Sequence, residues 1–220
     1  MACPARETTE LRGKWRSGWA ACLVVCAALL SAQASAAPTW DEIQAFYTYD
    51  AAAPLDAEAD DPVDNGVLTV QTVRFRSAND EIVPATVSRP KVEGKAPVIL
   101  FLHGLGGSRA DSAKVAPLVA GQGIAVVGID AAYHGDRKVE GGAVFSADVD
   151  MMAQAFRQTI IDNRRALDYI ASRDDLDAER VVLVGVSMGG IMGSMVASLD
   201  DRILAPFLIV GGGDLAGILQ

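Results

Sequence analysis

The sequence has few of the residues that bind metals, form disulfides or contact nucleic acids. Of its 220 residues, two are histidine and three are cysteine, which is too few for a Cys/His zinc site at the usual ligand spacing. Lys and Arg number 19 against 28 Asp and Glu, a formal net charge of −9. Because phosphate binding requires clustered basic side chains, this acidic balance argues against a nucleic-acid partner.

Aromatic residues are also scarce, at 6% of the chain, yet hydrophobic residues reach 50%. This apolar fraction excludes a disordered or collagen-like protein. The length is sufficient for one domain with a substantial core.

Residues 1–36 have the pattern of a secretory signal peptide. Basic residues precede an apolar run of 12 residues, Trp19–Leu30, and small residues follow, with Ala34-Ser35-Ala36 as an A-x-A cleavage signal. A helix that spans a bilayer needs about 20 apolar residues, so the run is too short. We therefore predict export, either to a periplasm or by secretion. An earlier cleavage signal, Ala32-Gln33-Ala34, and an uncleaved membrane anchor are the alternatives.

All three cysteines lie in this leading segment, so the chain that follows has no thiol for a disulfide. The rest of the chain is expected to comprise an irregular acidic segment, 37–66, and one domain, 67–220. Its excess of acidic residues disfavours binding to anionic lipid, and we expect no stable membrane insertion after cleavage.

From residue 67 onward, two strand-like runs form a predicted hairpin and are followed by apolar runs that alternate with helical patterns. The predicted strands are Val67–Phe75, Glu81–Ser88, Pro97–Leu102, Ile124–Ile129, Arg180–Val186 and Pro206–Val210. The predicted helices are Ser112–Gly121, Asp148–Ser172 and a third that begins at about Met188. This alternation predicts an α/β fold, with a mostly parallel sheet covered by helices on both faces.

The segment Gly185-Val186-Ser187-Met188-Gly189 fits the pattern G-x-S-x-G between an apolar strand and a run of small residues. In this context it predicts a sharp strand-to-helix turn that exposes a nucleophilic serine. Glycines are required at both ends because side chains there would collide with the backbone. Ser187 would lie at a helix N-terminus, where N–H groups favour negative charge. An ordinary glycine-rich turn is the alternative.

A second pattern, His103-Gly104-Leu105-Gly106-Gly107, directly follows the apolar run at residues 97–102. A loop after this strand can supply one backbone N–H of an oxyanion hole, and the residue after the nucleophile supplies the other. We assign these donors to Leu105 and Met188. His103 is expected to shape the loop by hydrogen bonding, and a glycine turn without a chemical role is the alternative.

These motifs, with the segments GIDAAYHGDR at 128–137 and DDLDAERV at 174–181, make the stretch from about Val87 to Ile218 similar to the α/β-hydrolase superfamily. It most resembles the branch of dienelactone-hydrolase-like and acetyl-xylan-esterase-like enzymes and the prolyl-oligopeptidase catalytic domain. The resemblance implies an α/β-hydrolase fold and a serine nucleophile, with no metal or organic cofactor. Dienelactone hydrolases usually carry cysteine at the position of Ser187, so that activity is not predicted.

The triad of this fold runs in the order serine, acid, histidine, but neither histidine of this chain follows Ser187. His134, in an active-site loop with Tyr133, is therefore expected to be structural rather than the base. We expect the chain to end before the strand that leads to the catalytic histidine, and to be inactive alone. Asp214 is a candidate for the acid, with a turn or helix-cap aspartate as the alternative.

The sequence as a whole predicts an exported serine hydrolase that cleaves a small carboxylic ester through an acyl-enzyme on Ser187. A peptidase of the prolyl-oligopeptidase type is the alternative within the same class. A non-catalytic binding protein or pseudoenzyme is the alternative outside it.

Overall fold

A computed structural model describes residues 37–212, so the predicted leader at 1–36 lies outside the described residues. The chain divides into two units, Met1–Glu42 and Ile43–Gln220. Helix α1 (Trp40–Phe46) opens with a capping box. The Thr39 hydroxyl accepts the Glu42 N–H at 3.3 Å, and the Glu42 carboxylate accepts the Thr39 N–H at 2.8 Å. Among the helices of residues 37–212, none has the length and hydropathy needed to cross a bilayer.

One mixed sheet of eight strands organises the second unit. The strands are β1 (Glu58–Ala59), β2 (Val63–Asp64), β3 (Leu68–Arg76), β4 (Ile82–Pro90), β5 (Ala96–Leu102), β6 (Ala125–Ile129), β7 (Leu176–Val186) and β8 (Ile203–Ile209). Their order is β1-β3-β4-β6-β5-β7-β8, and β2 also pairs with β3. Strands β5 to β8 are mutually parallel, whereas β3 and β4 pair antiparallel with each other and β4 with β6. The α/β class is confirmed, although the described sheet is mixed rather than mostly parallel.

Helices cover both faces of the parallel half of the sheet. They are α2 (Ala110–Val119), α3 (Val149–Ala171) and α4 (Met188–Leu199). Successive side chains of a strand point to opposite faces. Phe101 of β5 therefore packs in one cluster with Ala116 of α2, while Leu100 packs in another with Ile160 of α3 and Met192 of α4. Burial on both faces explains why this strand is apolar throughout.

Helix α3 is buried on more than one side. Asp148 caps its first turn by accepting the N–H groups of Asp150 and Met151, each at 3.1 Å, which stabilises a helix by about 1 kcal/mol. An amphipathic helix buries one apolar stripe, but α3 also buries Arg165. Another part of the chain therefore covers its polar side.

That cover is residues 46–55, which we call the N-terminal strap. Three arginines of α3 donate hydrogen bonds to its backbone carbonyl groups. The pairs are Arg157 with Phe46 at 2.6 Å, Arg164 with Tyr47 at 2.9 Å and Arg165 with Ala53 at 2.9 Å. The segment 37–66, expected to be irregular, thus contains α1, β1, β2 and a strap docked on the core.

Candidate active site

Strand β7 ends at Val186 and α4 begins at Met188, so Ser187 alone forms the turn between them. Its backbone has φ 53° and ψ −115°. Such a conformation costs a non-glycine residue on the order of 1–3 kcal/mol. The Ser187 N–H donates to the Ile209 carbonyl of β8 at 2.8 Å, and the Ser187 carbonyl accepts the Gly190 N–H at 2.8 Å. These two bonds hold the strained turn between a neighbouring strand and the helix.

No side chain fits at either glycine of the G-x-S-x-G segment. A Cβ atom on Gly185 would overlap the carbonyl oxygen of Gly189. A Cβ atom on Gly189 would overlap the carbonyl oxygen of Leu102 and lie 2.7 Å from that of His103. Because these neighbours are backbone atoms, they cannot turn aside as the end of a side chain can. Both glycines are therefore needed for β5, β7 and α4 to meet at Ser187.

The loop after β5 lies against Ser187. Leu102, the last residue of β5, pairs with Gly185 of β7, so the loop starts beside the turn. A Cβ atom built on Gly104 would lie 3.6 Å from the Ser187 Cβ, which is an ordinary van der Waals contact, so the loop passes directly beside the turn. The next residue, Leu105, has a 62% exposed side chain, and its N–H has no acceptor among residues 37–212.

Met188 contributes a second unpaired backbone donor. It opens α4, and the first N–H groups of a helix have no partners inside the helix. In the described part of the chain, the Met188 N–H has no other acceptor. Leu105 and Met188, in the two segments that meet at Ser187, thus each carry an N–H that has no acceptor within residues 37–212. Donors of this kind stabilise an oxygen that becomes negatively charged.

His103 connects the loop after β5 to the loop after β6. Its Nδ1 lies 2.8 Å from the Gly104 carbonyl oxygen, and its Nε2 accepts the Ala131 N–H at 3.2 Å. Because Nε2 accepts, Nδ1 carries the proton and the ring is neutral. Burial lowers the pKa of His103 below its ordinary value, which favours the same neutral form.

His134 is also buried, and its Nδ1 lies 2.9 Å from the Ala132 carbonyl oxygen. Its ring centre is 5.1 Å from that of His103. Within residues 37–212, neither histidine forms a hydrogen bond with Ser187. Both rings are therefore bonded to the backbone around the site rather than to the serine hydroxyl.

Tyr133 follows β6 in a left-handed backbone conformation, with φ 60°. It lines a cavity of about 380 Å³ together with Glu81, Arg137 and Gln158. Strand β4 runs antiparallel to β6, so the start of β4 and the end of β6 meet at one sheet edge. The cavity therefore lies at the edge of the sheet that also holds Ser187.

Sequence reasoning did not single out Arg109 and Asp130, which lie between the two loops. Their side chains pair at 2.7 Å, and the Asp130 side chain is fully buried. Asp130 directly follows the apolar strand β6. A carboxylate at the end of a buried strand is the signal that could have identified it.

The last sequence candidate, Asp214, lies outside the described residues. Within 37–212, no group of three or more His, Asp or Glu residues is arranged to hold a metal ion. No metal-binding residues are therefore assigned in this part of the chain.

Residues 97–215 match the profile of a family described as having the alpha/beta hydrolase fold. The match begins in β5 and includes Leu105, His134 and Ser187. It covers more than half of the chain, and the chain belongs to this family.

Two curated proteins are similar in sequence. YtaP of Bacillus subtilis (strain 168), which carries the name of a hydrolase, is 30% identical over 168 residues, or 64% of this chain and 56% of YtaP. The quorum-quenching protein AidA of Acinetobacter baumannii (strain MDR-ZJ06) is 32% identical over 134 residues, or 60% of this chain and 41% of AidA. The aligned stretch spans about half the length of these relatives.

Solved structures share the fold. An acetyl xylan esterase from Paenibacillus sp. R4 is 26% identical with a TM-score of 0.61, over 77% of this chain and 58% of that one. Acetyl xylan esterase 1 from Thermoanaerobacterium sp. JW/SL YS485 is 21% identical with a TM-score of 0.62, over 79% and 61% of the two chains. The second likeness is one of fold alone.

Proposed function

We propose that the protein is a serine hydrolase that cleaves carboxylic esters, with Ser187 as the nucleophile. The observation that carries this proposal is the strained Ser187 backbone between two glycines that admit no Cβ atom. Such a turn reduces stability, and presenting a nucleophile above the sheet is a reason to retain it. The likeness to an acetyl xylan esterase and to YtaP supports the reaction class.

In the proposed reaction, the Ser187 Oγ attacks the ester carbonyl carbon while its proton passes to a general base. The carbonyl oxygen becomes an oxyanion and accepts hydrogen bonds from the N–H groups of Leu105 and Met188, each worth about 3 kcal/mol in the transition state. The intermediate then collapses to an acyl-enzyme as the alcohol leaves with the proton. Water attacks the acyl group in the same way and releases the acid.

We assign the general base to neither His103 nor His134. Both nitrogens of His103 are bonded to backbone groups, and the buried His134 is bonded to the Ala132 carbonyl. In this fold the catalytic histidine follows the serine in the chain. In our proposal, the base is a histidine that is not among the 220 residues of this sequence, and Asp214 is a candidate for its acid partner.

We also propose that the protein is exported, with residues 1–36 as a signal peptide. The segments 37–66 and 67–220 would then form the N-terminal part and the hydrolase domain of the exported protein. Neither the periplasm nor the medium is preferred by the residues themselves.

The proposal is tested with a fluorophosphonate probe, which labels activated serines, on the protein as its natural host produces it. We expect labelling and hydrolysis of p-nitrophenyl acetate in the wild type. The Ser187→Ala variant should lose both, with kcat lower by a factor on the order of 10⁶. Ser194→Ala is the matched control, because the Ser194 hydroxyl only bonds the Ile191 carbonyl within α4; it should be labelled like the wild type.

Labelling that survives in Ser187→Ala would show that Ser187 is not the nucleophile. A folded wild type that is never labelled would favour a pseudoenzyme or binding protein. Cleavage of a chromogenic prolyl peptide in preference to the ester would favour the peptidase.

A further inference from the structure

The loop from Gly104 to Ser108, which carries the Leu105 N–H, has little within itself to hold its position. Gly104, Gly106 and Gly107 provide no side-chain contacts, and Leu105 is largely exposed. The backbone bond inside the loop runs from the Gly107 N–H to the Gly104 carbonyl at 3.0 Å. Because glycine is conformationally permissive, the position of the loop depends on how its ends are held.

Two consecutive residues after β6, Asp130 and Ala131, hold the two ends. At the first end, His103 bonds the Gly104 carbonyl through Nδ1 and the Ala131 N–H through Nε2. At the last end, the Asp130 Oδ1 accepts the Arg109 N–H at 2.7 Å, and its Oδ2 accepts the Arg109 guanidinium at 2.7 Å. The loop after β6 therefore braces the loop after β5.

Asp130 is itself firmly placed. Its Oδ2 also accepts the Asp136 N–H at 3.0 Å, and its carboxylate fills the space where a Cβ atom on Gly135 would lie. The Arg137 guanidinium donates to the Asp130 carbonyl at 3.1 Å and pairs with the buried Asp162 at 2.6 Å. The brace is thus anchored on α3 and does not move independently of the core.

We infer that Asp130, acting through Arg109, positions the Leu105 N–H for the oxyanion. This inference rests on the proposed ester hydrolysis. Asp130 is a positioning residue and not a catalytic one. Its carboxylate is fully buried and receives three hydrogen bonds from the protein, so no face is left for a substrate.

The test compares Asp130→Asn with the wild type. Asparagine has one acceptor oxygen in place of two. Its NH₂ group must therefore face either the backbone N–H of Arg109, which bonds Oδ1 in the wild type, or the two donors that bond Oδ2, the Arg109 guanidinium and the Asp136 N–H. We expect kcat for p-nitrophenyl acetate to fall about 10- to 100-fold, with KM within about twofold, since misplacement of a transition-state donor affects kcat. Asp200→Asn is the matched control. It also removes a buried carboxylate that pairs with arginines, but it lies away from the loop.

A merely structural role predicts equal losses of stability and unchanged kcat in both variants. We therefore measure kcat well below each melting temperature, and in parallel measure amide hydrogen exchange of peptides that cover 104–109. Exchange there should accelerate in Asp130→Asn and not in Asp200→Asn. Unchanged kcat together with unchanged exchange in a folded Asp130→Asn would overturn the inference.

Two further variants keep the test decisive. If Asp130→Asn does not fold, Arg109→Met removes the same pair from the other side, and Arg109→Lys should restore part of kcat because it keeps the cation. If the wild type hydrolyses no ester, the proposed function fails. The exchange measurement then still reports whether Asp130 holds the loop.

Discussion

Within residues 37–212, the His103 ring forms hydrogen bonds with backbone groups only, although it directly precedes the loop that carries the proposed oxyanion donor. It is 3% exposed, and its two nitrogens bond the Gly104 carbonyl and the Ala131 N–H. A proton on Nε2 would abolish the second bond, because Nε2 could no longer accept. Protonation would also place a charge in a buried position, and this burial is the main reason that the pKa of His103 is lowered.

This predicts a loss of stability in mild acid. The folded pKa of His103 lies below that of the unfolded chain, about 6.5, so the unfolded chain binds a proton first. The stabilising contribution of neutral His103 is complete above that value and is lost as the pH falls below it, at up to about 1.4 kcal/mol per pH unit. In urea denaturation at pH 7.5 and 5.5, His103→Gln should show a smaller difference in unfolding free energy than the wild type.

Thr159→Val is the control for this measurement. It removes the hydroxyl that accepts the Ala132 N–H at 3.1 Å, next to the Ala131 N–H that His103 accepts, but it removes no titratable group. Its pH dependence should equal that of the wild type. Equal pH dependence in His103→Gln would contradict the assignment of the effect to His103.

At the scale of elements, the contact between α3 and the N-terminal strap shows how charged residues come to be buried. The Arg165 side chain is 2% exposed and extends from α3 beneath the strap. It bonds the carbonyl groups of Ala53 and Arg76 and pairs with Asp168 at 3.0 Å. The strap and the end of β3 thus complete the hydrogen bonding of a guanidinium that Asp168, on the same helix, satisfies only in part.

Replacement of Arg165 should therefore release the strap. We expect Arg165→Met to lower the free energy of unfolding by about 3 kcal/mol or more, because the bonds of a buried guanidinium to the Ala53 and Arg76 carbonyl groups and to Asp168 are lost. Chymotrypsin should also cut faster after Phe46, Tyr47 or Tyr49. Arg180→Met is the control, since Arg180 pairs with Asp177 at the surface and should cost no more than about 1 kcal/mol. Equal stability and equal cleavage of the two variants would show that the strap does not depend on Arg165.

At the scale of the whole molecule, our proposal assigns separate roles to the leading segment and to the hydrolase domain. An apolar run of 12 residues followed by small residues suits recognition and cleavage during export, while the domain carries the sheet and the candidate site. Residue 37, the first after the predicted cleavage, lies before the capping box of α1. Cleavage there would leave the described fold intact.

We therefore expect the protein recovered from the exported fraction of its host to begin at Ala37. N-terminal sequencing checks this directly. A start at Ser35 would indicate the alternative signal Ala32-Gln33-Ala34. Protein that keeps residues 1–36 and remains with the membrane fraction would contradict cleavage and favour an anchor.

The sequence alone was sufficient to place the strands and helices around Ser187. The continuous apolar runs predicted β5, β6 and β7 to within a few residues, although β7 begins earlier, at Leu176. Local rules determine these features: burial on both faces makes a strand apolar throughout. The segment from 185 to 189 was also recognisable without a structure, because its glycines and serine have a fixed spacing between an apolar run and a run of small residues.

Only the tertiary structure decided which distant residues support the site and the core. Asp130 and Arg109 pair between two loops, and Arg165 bonds the strap. A single charged residue belongs to no periodic pattern, so the sequence does not predict its partner. Their pairing depends on which loops the sheet order brings together, since the two loops follow β5 and β6, which are neighbours in the sheet. Contacts between residues a few positions apart in the chain can be predicted from the local sequence, whereas contacts between separate loops are determined by the packing of the complete fold.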